Sequence, residues 1–310
     1  MSGRGVLIVG GAGQVGRELQ RSFADIGEIV AVDRESVDLA EPAQVRELVQ
    51  RVGPGVILNA AAYTAVDRAE SERTTAMAIN AVAPGVLAEE ARERGAIFVH
   101  YSTDYVFDGA KREPWTEDDK PDPLNAYGAS KLAGEEAIKQ VGGRYLIFRT
   151  SWVYGPHGNN FLLTMLRLGC ERDRLRIVDD QHGAPTTSAE LADATRRIVD
   201  GILSQRFGVH AEWAGLYHMS CSGETTWFGF AQAIFARAGD LLDGKAPVVE
   251  PIASSEYPTP AKRPGNSVLS NARLQERFGV QLAPWGTALD AVITILRAEA
   301  WDQSWSAVRS

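Results

Sequence analysis

Short unbroken apolar runs alternate with amphipathic stretches through the first half of the chain. The runs are Val6-Leu7-Ile8-Val9 after Gly5, Glu28 to Val32, Val56 to Asn59, Ile97 to Val99 and Tyr145 to Phe148. Each is too short for a buried helix and lacks polar alternation, the pattern of a strand covered on both faces in a parallel sheet. Between them the apolar spacing is helical: from the glycines at Gly10–Gly16 through Leu19, Phe23 and Ile26, over Pro42–Val52, over Thr75–Arg94, and from near Tyr127. Pro42 suits a first helical turn, where its missing N–H costs nothing. Strand and helix in this alternation predict an α/β fold with a doubly wound parallel sheet.

Beyond Tyr154 the rhythm loosens. Helices are expected over Phe161–Leu168, Ser188–Leu203, Trp227–Ala238 and about Thr287–Ala300, with a strand at Leu175–Val178. Gly215–Met219 reads as a strand returning to the sheet, and the Pro- and Ser-rich Pro247–Asn266 as a loop over a pocket. The acidic Glu113–Asp122 reads as a solvated loop. The expected division is a dinucleotide-binding domain over 1–155, with contributions from about 180–220, and a smaller interleaved lobe over 156–310.

Composition narrows the partners. The chain has 310 residues, 45% of them hydrophobic and 23% charged, as in an ordinary globular protein. A net charge of -8 with no basic block argues against nucleic acid. Cys170 and Cys221 have no metal-ligand spacing and allow at most one disulfide, which fits a reducing compartment. No apolar run reaches the ~18 residues of a membrane span. Met1-Ser2-Gly3-Arg4 carries no signal-peptide pattern, so the cytoplasm is the expected location.

The glycines bring in chemistry. Gly10, Gly13 and Gly16, with Gly11 between them, follow a strand and open a helix. That context lets the backbone approach a pyrophosphate, with amide donors at the helix N-terminus. The fold is thus Rossmann-type. Asp33 ends the second strand about 20 residues on, where a carboxylate accepts hydrogen bonds from an adenosine ribose and repels a 2′-phosphate. It favours NADH, while Arg34 beside it suits the phosphate and keeps NADPH open. Asp38 and Leu39 are placed to flank the adenine.

Between the fourth strand and the next helix stand Ser102, Thr103 and, after a loop, Tyr127-Gly128-Ala129-Ser130-Lys131. On a helix Tyr127 and Lys131 share a face, one turn apart. A cation so placed favours phenolate and suits a tyrosine that exchanges a proton.

Together with Asn59–Asp67, Tyr101–Gly109, Arg149–Tyr154, Gly158–Phe161, Asp180–Thr186, Tyr257–Pro260 and Arg263–Ser267, these motifs resemble the extended short-chain dehydrogenase/reductases, and within them the dTDP-4-dehydrorhamnose reductase family. The resemblance runs through nearly the whole chain. It implies a smaller interleaved C-terminal substrate-binding lobe and NADPH- or NADH-dependent reduction of a dTDP-linked 4-keto deoxysugar. Tyr127 would be proton donor, Lys131 would lower the phenol's pKa and bind the nicotinamide ribose, and Thr103 would hydrogen-bond the reacting oxygen. Gly13, Gln14 and Val15 would touch the cofactor's pyrophosphate, and Ala62, Tyr63, Thr64 and Tyr101, which ends the fourth strand, would line the cofactor. Asp104 and Trp152 would meet the deoxysugar, Asn160 and Gln181 its nucleotide or hydroxyls, and Arg263 its diphosphate. Asn80 would brace the site.

Dehydratases of related fold carry Glu after the Thr-Asp pair, whereas this chain has Tyr105, so reduction is the expected chemistry. Some members hold Mg²⁺ between subunits through three Glu. Glu18 and Glu190 match two, but Ile295 stands near the third position, with Glu299 a turn beyond. Two carboxylates hold Mg²⁺ weakly, so no metal ligand is assigned and a metal-linked homodimer loses support. Two other readings share the motifs: a reductase or epimerase of another nucleotide-linked 4-keto sugar, and a non-catalytic subunit resembling the regulatory subunit of methionine adenosyltransferase.

Overall fold

The computed structural model describes residues 5–242 and 244–299; the expectations for Met1–Arg4 and for the end of the last helix at Ala300 lie outside them. Five strands follow the apolar runs: β1 (Val6–Val9), β2 (Ile29–Val32), β3 (Val56–Asn59), β4 (Ile97–Thr103) and β5 (Tyr145–Thr150). Gly215–His218 joins them in a six-stranded sheet, parallel throughout, whose order is Gly215–His218, β5, β4, β3, β1, β2.

Side-chain alternation builds two cores. Val6 and Ile8, Val56 and Leu58, Ile97 and Val99 face Leu19, Phe23, Leu191 and Ile198, which belong to α1 (Gln14–Ser22), the residue after it, and Ser188–Leu203. Leu7, Val9, Ile57 and Phe98 face Val45, Leu48, Leu87 and Ile138, from α2 (Pro42–Val52), Ala83–Arg94 and Ala126–Val141. Each such fully buried aliphatic or aromatic side chain contributes about 1.5–3 kcal/mol. α1 is shorter than the spacing predicts: Phe23 caps it and Ile26 lies beyond, in the turn to β2.

Pro84 interrupts the helix expected over Thr75–Arg94. Lacking an N–H, it cannot donate to the Asn80 carbonyl. The run divides into Arg73–Met77, a π-turn at Ala78–Val82 and Ala83–Arg94.

After Tyr154 the chain builds a third core from Leu162, Met165, Phe230, Ile234, Leu289 and Val292. These sit on Phe161–Glu171, Trp227–Arg237 and Trp285–Ala298. Against them lies a parallel pair, Arg174–Val178 with Val248–Ile252. Val248–Ile252 corrects the expectation of loop throughout Pro247–Asn266. Apolar Val248, Val249 and Ile252 support an edge strand in which Pro251 is tolerated. Glu113–Asp122 is not simply a solvated loop either. Trp115 is buried, bridges to Leu269 and donates its indole N–H to the Asn266 carbonyl at 2.9 Å; Glu117 accepts the His218 amide at 2.7 Å.

Candidate active site

The glycine loop is built by close approach. At Gly16 a Cβ would stand 2.0 Å from the Gly10 carbonyl oxygen, and Gly10, at φ 86°, lies against Ala61 backbone with no room for a side chain. Gly13 begins α1 without a side-chain cap, so the first amides, those of Gln14 and Val15 included, carry no side-chain acceptor. That donor set fits a pyrophosphate. Asp33, at the end of β2, accepts the Glu35 amide at 3.0 Å; Asp38 accepts the Ala40 amide at 2.9 Å, and Leu39 packs on the neighbouring core. After β3, Ala62, Tyr63 and Thr64 continue the same rim. Asn80, in the π-turn, accepts the Tyr63 amide at 2.8 Å and donates to its carbonyl at 3.1 Å. Its amide also donates to Ser130 Oγ at 3.0 Å, tying the rim to the helix of Tyr127 and Lys131.

β4 runs past Tyr101 to Thr103, which corrects the expected strand end. Polar residues continue it because each finds a partner in the interior. His100 meets Asn59 and Lys131, and Ser102 donates to Glu135 at 2.5 Å. Glu135 in turn holds Arg149 in a buried bidentate pair at 2.6 and 2.8 Å. The phenol of Tyr101 is turned into the core, 2.7 Å from Thr195 Oγ1, and offers the site its carbonyl, which accepts Lys131 Nζ at 2.6 Å.

The helix Ala126–Val141 starts under tight control. Asn125 caps it, accepting the Gly128 amide at 2.8 Å, while Glu70 accepts the Ala126 amide at 2.7 Å. Gly128 is required there: a Cβ would stand 2.1 Å from the Tyr105 carbonyl oxygen. Tyr127 is thereby fixed edge-on to Tyr105, ring centroids 5.6 Å apart, beside the Thr103 hydroxyl. Burial pushes the Tyr127 phenol up to about 12, opposed by Thr103, and pulls Lys131 down to about 8, opposed by Glu135. The lowering expected from Lys131 is not what sets the phenol in this structure: burial does, and Lys131 Nζ is held by the Tyr101 carbonyl and His100.

Asp104 lies beside Thr103 and accepts its hydroxyl at 3.0 Å. Its other oxygen is buried with no hydrogen-bond partner, and burial raises the carboxyl to about 6, opposed by the nearby Ser267 and Thr103 hydroxyls. Such an orphaned acceptor beside a tyrosine and a threonine suits a hydroxyl-bearing ligand.

A cavity of about 750 Å³ opens in the lobe, lined by Phe161, Trp227, Arg174, Arg176, Tyr257 and Arg263 among others. Gln181 is on its wall, donating to Ser254 Oγ at 2.9 Å. Arg263 pairs bidentately with Asp67 at 2.9 and 3.1 Å and is also coupled to Tyr105, which links the cavity to Tyr127. Trp152 stacks on Trp227, centroids 3.6 Å apart, in a left-handed backbone conformation at φ 48°. Gly183 makes room for it, a Cβ there falling 2.4 Å from the indole. Such strain in a non-glycine residue is concentrated at ligand sites. Asn160 is drawn into scaffolding, capping its helix through Leu163 N and donating to Gln14 Oε1 at 2.9 Å. Trp227, read from sequence only as a helix start, and His100 are the main additions. Nothing in their spacing marks them, since the neighbours that give them a role are distant in the chain.

Glu18 is engaged by Arg21 at 2.8 Å, and Glu190 accepts the Ala283 amide at 2.9 Å. Among the described residues no group of three or more His, Cys, Asp or Glu is disposed to hold a metal, and none of their helices is long and apolar enough to cross a membrane. Cys221 is a buried free thiol.

A dinucleotide-type phosphate loop facing a Thr-Tyr-Lys cluster across the ends of a parallel sheet defines a short-chain dehydrogenase/reductase architecture. The chain belongs to the family described as RmlD substrate binding domain, whose model matches residues 4–298. It is 47% identical over 298 residues to the dTDP-4-dehydrorhamnose reductase of Burkholderia thailandensis, covering 95% of this chain and 99% of that one. Its likeness to the Salmonella typhimurium reductase is 45% over 296 residues, 93% and 97% covered. Among solved structures, the dTDP-4-dehydrorhamnose reductase of Bacillus anthracis in complex with NADP superposes with a TM-score of 0.85 at 37% identity, covering 94% of this chain and 99% of that one.

Proposed function

We propose that this protein is an NADPH- or NADH-dependent reductase that converts dTDP-4-dehydro-L-rhamnose to dTDP-L-rhamnose. The observation that carries the reading is the convergence of Thr103, Tyr127 and Lys131 beside the glycine loop, in a chain whose relatives bear that name over nearly their full length.

The bound nicotinamide supplies the hydride. This chain's residues do the rest. Gly13, Gln14 and Val15 amides hold the pyrophosphate, with Gly10 and Gly16 admitting it; Asp33, Asp38 and Leu39 take the adenosine end; Ala62, Tyr63, Thr64 and the Tyr101 backbone line the nicotinamide side. Thr103 turns its hydroxyl hydrogen from Asp104 to the carbonyl oxygen, and Tyr127 transfers its phenolic proton to that oxygen as it becomes an alkoxide. A phenol held at about 12 is fully protonated at neutral pH and so ready to give its proton to this stronger base. General-acid help of this kind supplies ~10²–10⁴-fold. Asp104 suits a sugar hydroxyl, Trp152 and Trp227 offer flat apolar faces, and Arg263 and Gln181 suit the diphosphate and nucleotide.

The same reading puts the protein in the cytoplasm, where reduced nicotinamide cofactors are found; a homodimer rests on the resemblance alone and is read by light scattering. Incubation with dTDP-4-dehydro-L-rhamnose should consume one reduced cofactor per sugar and yield dTDP-L-rhamnose. Turnover only with GDP- or UDP-linked 4-keto sugars would reassign the substrate. Cofactor binding without any turnover would leave a binding subunit.

A further inference from the structure

Behind Tyr127 and Lys131 lies a wholly buried line of polar groups that the reaction as written does not use. Asn59, the last residue of β3, and His100, in the middle of β4, are register partners. Asn59 Nδ2 is 3.0 Å from His100 Nδ1, and His100 Nε2 is 3.2 Å from Lys131 Nζ. His100 is 0% exposed, and Phe98 covers it with ring centroids 6.3 Å apart. Burial, then the charge of Lys131, holds its pKa well below the ordinary histidine range. The charged groups around it are few. The Tyr127 helix presents Lys131 and, one turn on, Glu135, which is already bound by Arg149 of β5 and Ser102 of β4. From β3 only the neutral Asn59 amide faces the ring.

Hydrogen positions along this line are interlocked. The Asn59 carbonyl oxygen accepts the Ala61 amide at 3.3 Å, which turns its NH₂ toward His100. An amide NH₂ only donates, so Nδ1 accepts and the neutral ring carries its hydrogen on Nε2, facing Nζ. An ammonium has no lone pair to receive that hydrogen; an amine does. For Lys131 to be charged while keeping its bond to His100, the ring hydrogen has to sit on Nδ1 and the Asn59 amide has to turn over.

We propose that His100 is a positioning residue for the reduction: its imidazole holds Lys131 Nζ against the Tyr101 carbonyl, and its tautomer, matched from behind by the orientation of the Asn59 amide, follows the charge on Lys131. The kinetic part rests on the reductase reading; the ring's tautomer does not.

The test is made on the full chain. Histidine labelled with ¹⁵N, with His100 assigned by comparison with His100→Gln, distinguishes Nδ1–H, Nε2–H and imidazolium by NMR. His100 is expected to stay neutral wherever the protein is folded and to pass from Nδ1–H to Nε2–H as Lys131 loses its proton. In parallel, kcat is measured against pH for His100→Phe and His100→Gln. His100→Phe removes the acceptor that stabilises the ammonium, so the alkaline limb should move to lower pH and kcat fall about 10- to 100-fold, as on loss of an outer orienting partner. Gln restores a carbonyl acceptor and should recover part of both. Titration of His100 to imidazolium near neutrality, a tautomer indifferent to Lys131, or a His100→Phe profile that loses height without moving would each overturn the proposal. Absence of any sugar reduction would sink the reductase reading while the NMR result still decides the tautomer.

Discussion

Gly134 and Asn80 are in such close contact that a Cβ on the glycine would stand 2.1 Å from the Asn80 carbonyl oxygen. The helix bearing Tyr127 and Lys131 is seated against the π-turn, and the same asparagine fixes the backbone of Tyr63 on the cofactor rim. Gly134→Ala is therefore expected to push that helix outward, costing about 1–3 kcal/mol of stability as an overpacked contact does, and to lower kcat. Denaturant unfolding and steady-state kinetics read the two effects. Parent-like values for both would show that the approach is slack.

Asp104 predicts a pH-dependent stability. Its folded-state pKa of about 6 stands above the ordinary 3.8. Between those values the folded protein holds the proton more tightly than the unfolded chain, so stability falls as pH rises through that window. Above it the buried charge is a standing penalty of the order of 3 kcal/mol. Asp104→Asn should unfold at higher denaturant near neutral pH, by about 1–3 kcal/mol, with a flatter profile across the window, and should bind the sugar nucleotide less well. An unchanged profile would mean the carboxylate is solvated after all.

Trp227 predicts a selective loss. Its ring lies on the cavity wall, stacked on Trp152 and tilted against Phe161 at 4.7 Å. Base–aromatic stacking is worth about 1–3 kcal/mol, so Trp227→Ala should raise KM for the nucleotide sugar roughly 5- to 150-fold and leave the cofactor dissociation constant unchanged. Equal weakening of both ligands would place the cavity outside the sugar-nucleotide site.

Asp33 is expected to set the cofactor preference. Its carboxylate already caps the following turn through Glu35 N, leaving the other oxygen for a ribose hydroxyl. Asp33→Ala is expected to raise KM for NADH more than for NADPH, because only the latter gains relief from repulsion of a 2′-phosphate. Equal changes would remove Asp33 from the choice.

What was legible in the sequence was what local pattern controls. The five apolar runs, the glycine loop and the Tyr127–Lys131 spacing depend on neighbours within a few residues, and the structure has them. The apolar run marks β4 only over Ile97–Val99, because His100, Ser102 and Thr103 look like a strand end; their partners Asn59, Lys131 and Glu135 come from β3 and from a helix some thirty residues on, and only the fold brings them together. The same holds for Trp115, read as part of a solvated loop until Leu269 and Asn266 cover it. Val248–Ile252 is hidden by its proline and by having its strand partner some seventy residues away, at Arg174–Val178. Trp227 carried no signal at all, since its role depends on Trp152 and Phe161.

Isotope transfer tests the central claim most directly. With cofactor deuterated at the transferable position of the reduced nicotinamide and dTDP-4-dehydro-L-rhamnose as substrate, the account predicts one deuterium at C4 of the product dTDP-L-rhamnose. It also predicts loss of that transfer by ~10²–10⁴-fold in Tyr127→Phe without loss of cofactor binding. Deuterium absent from C4, or transfer at the parent rate in Tyr127→Phe, would contradict it.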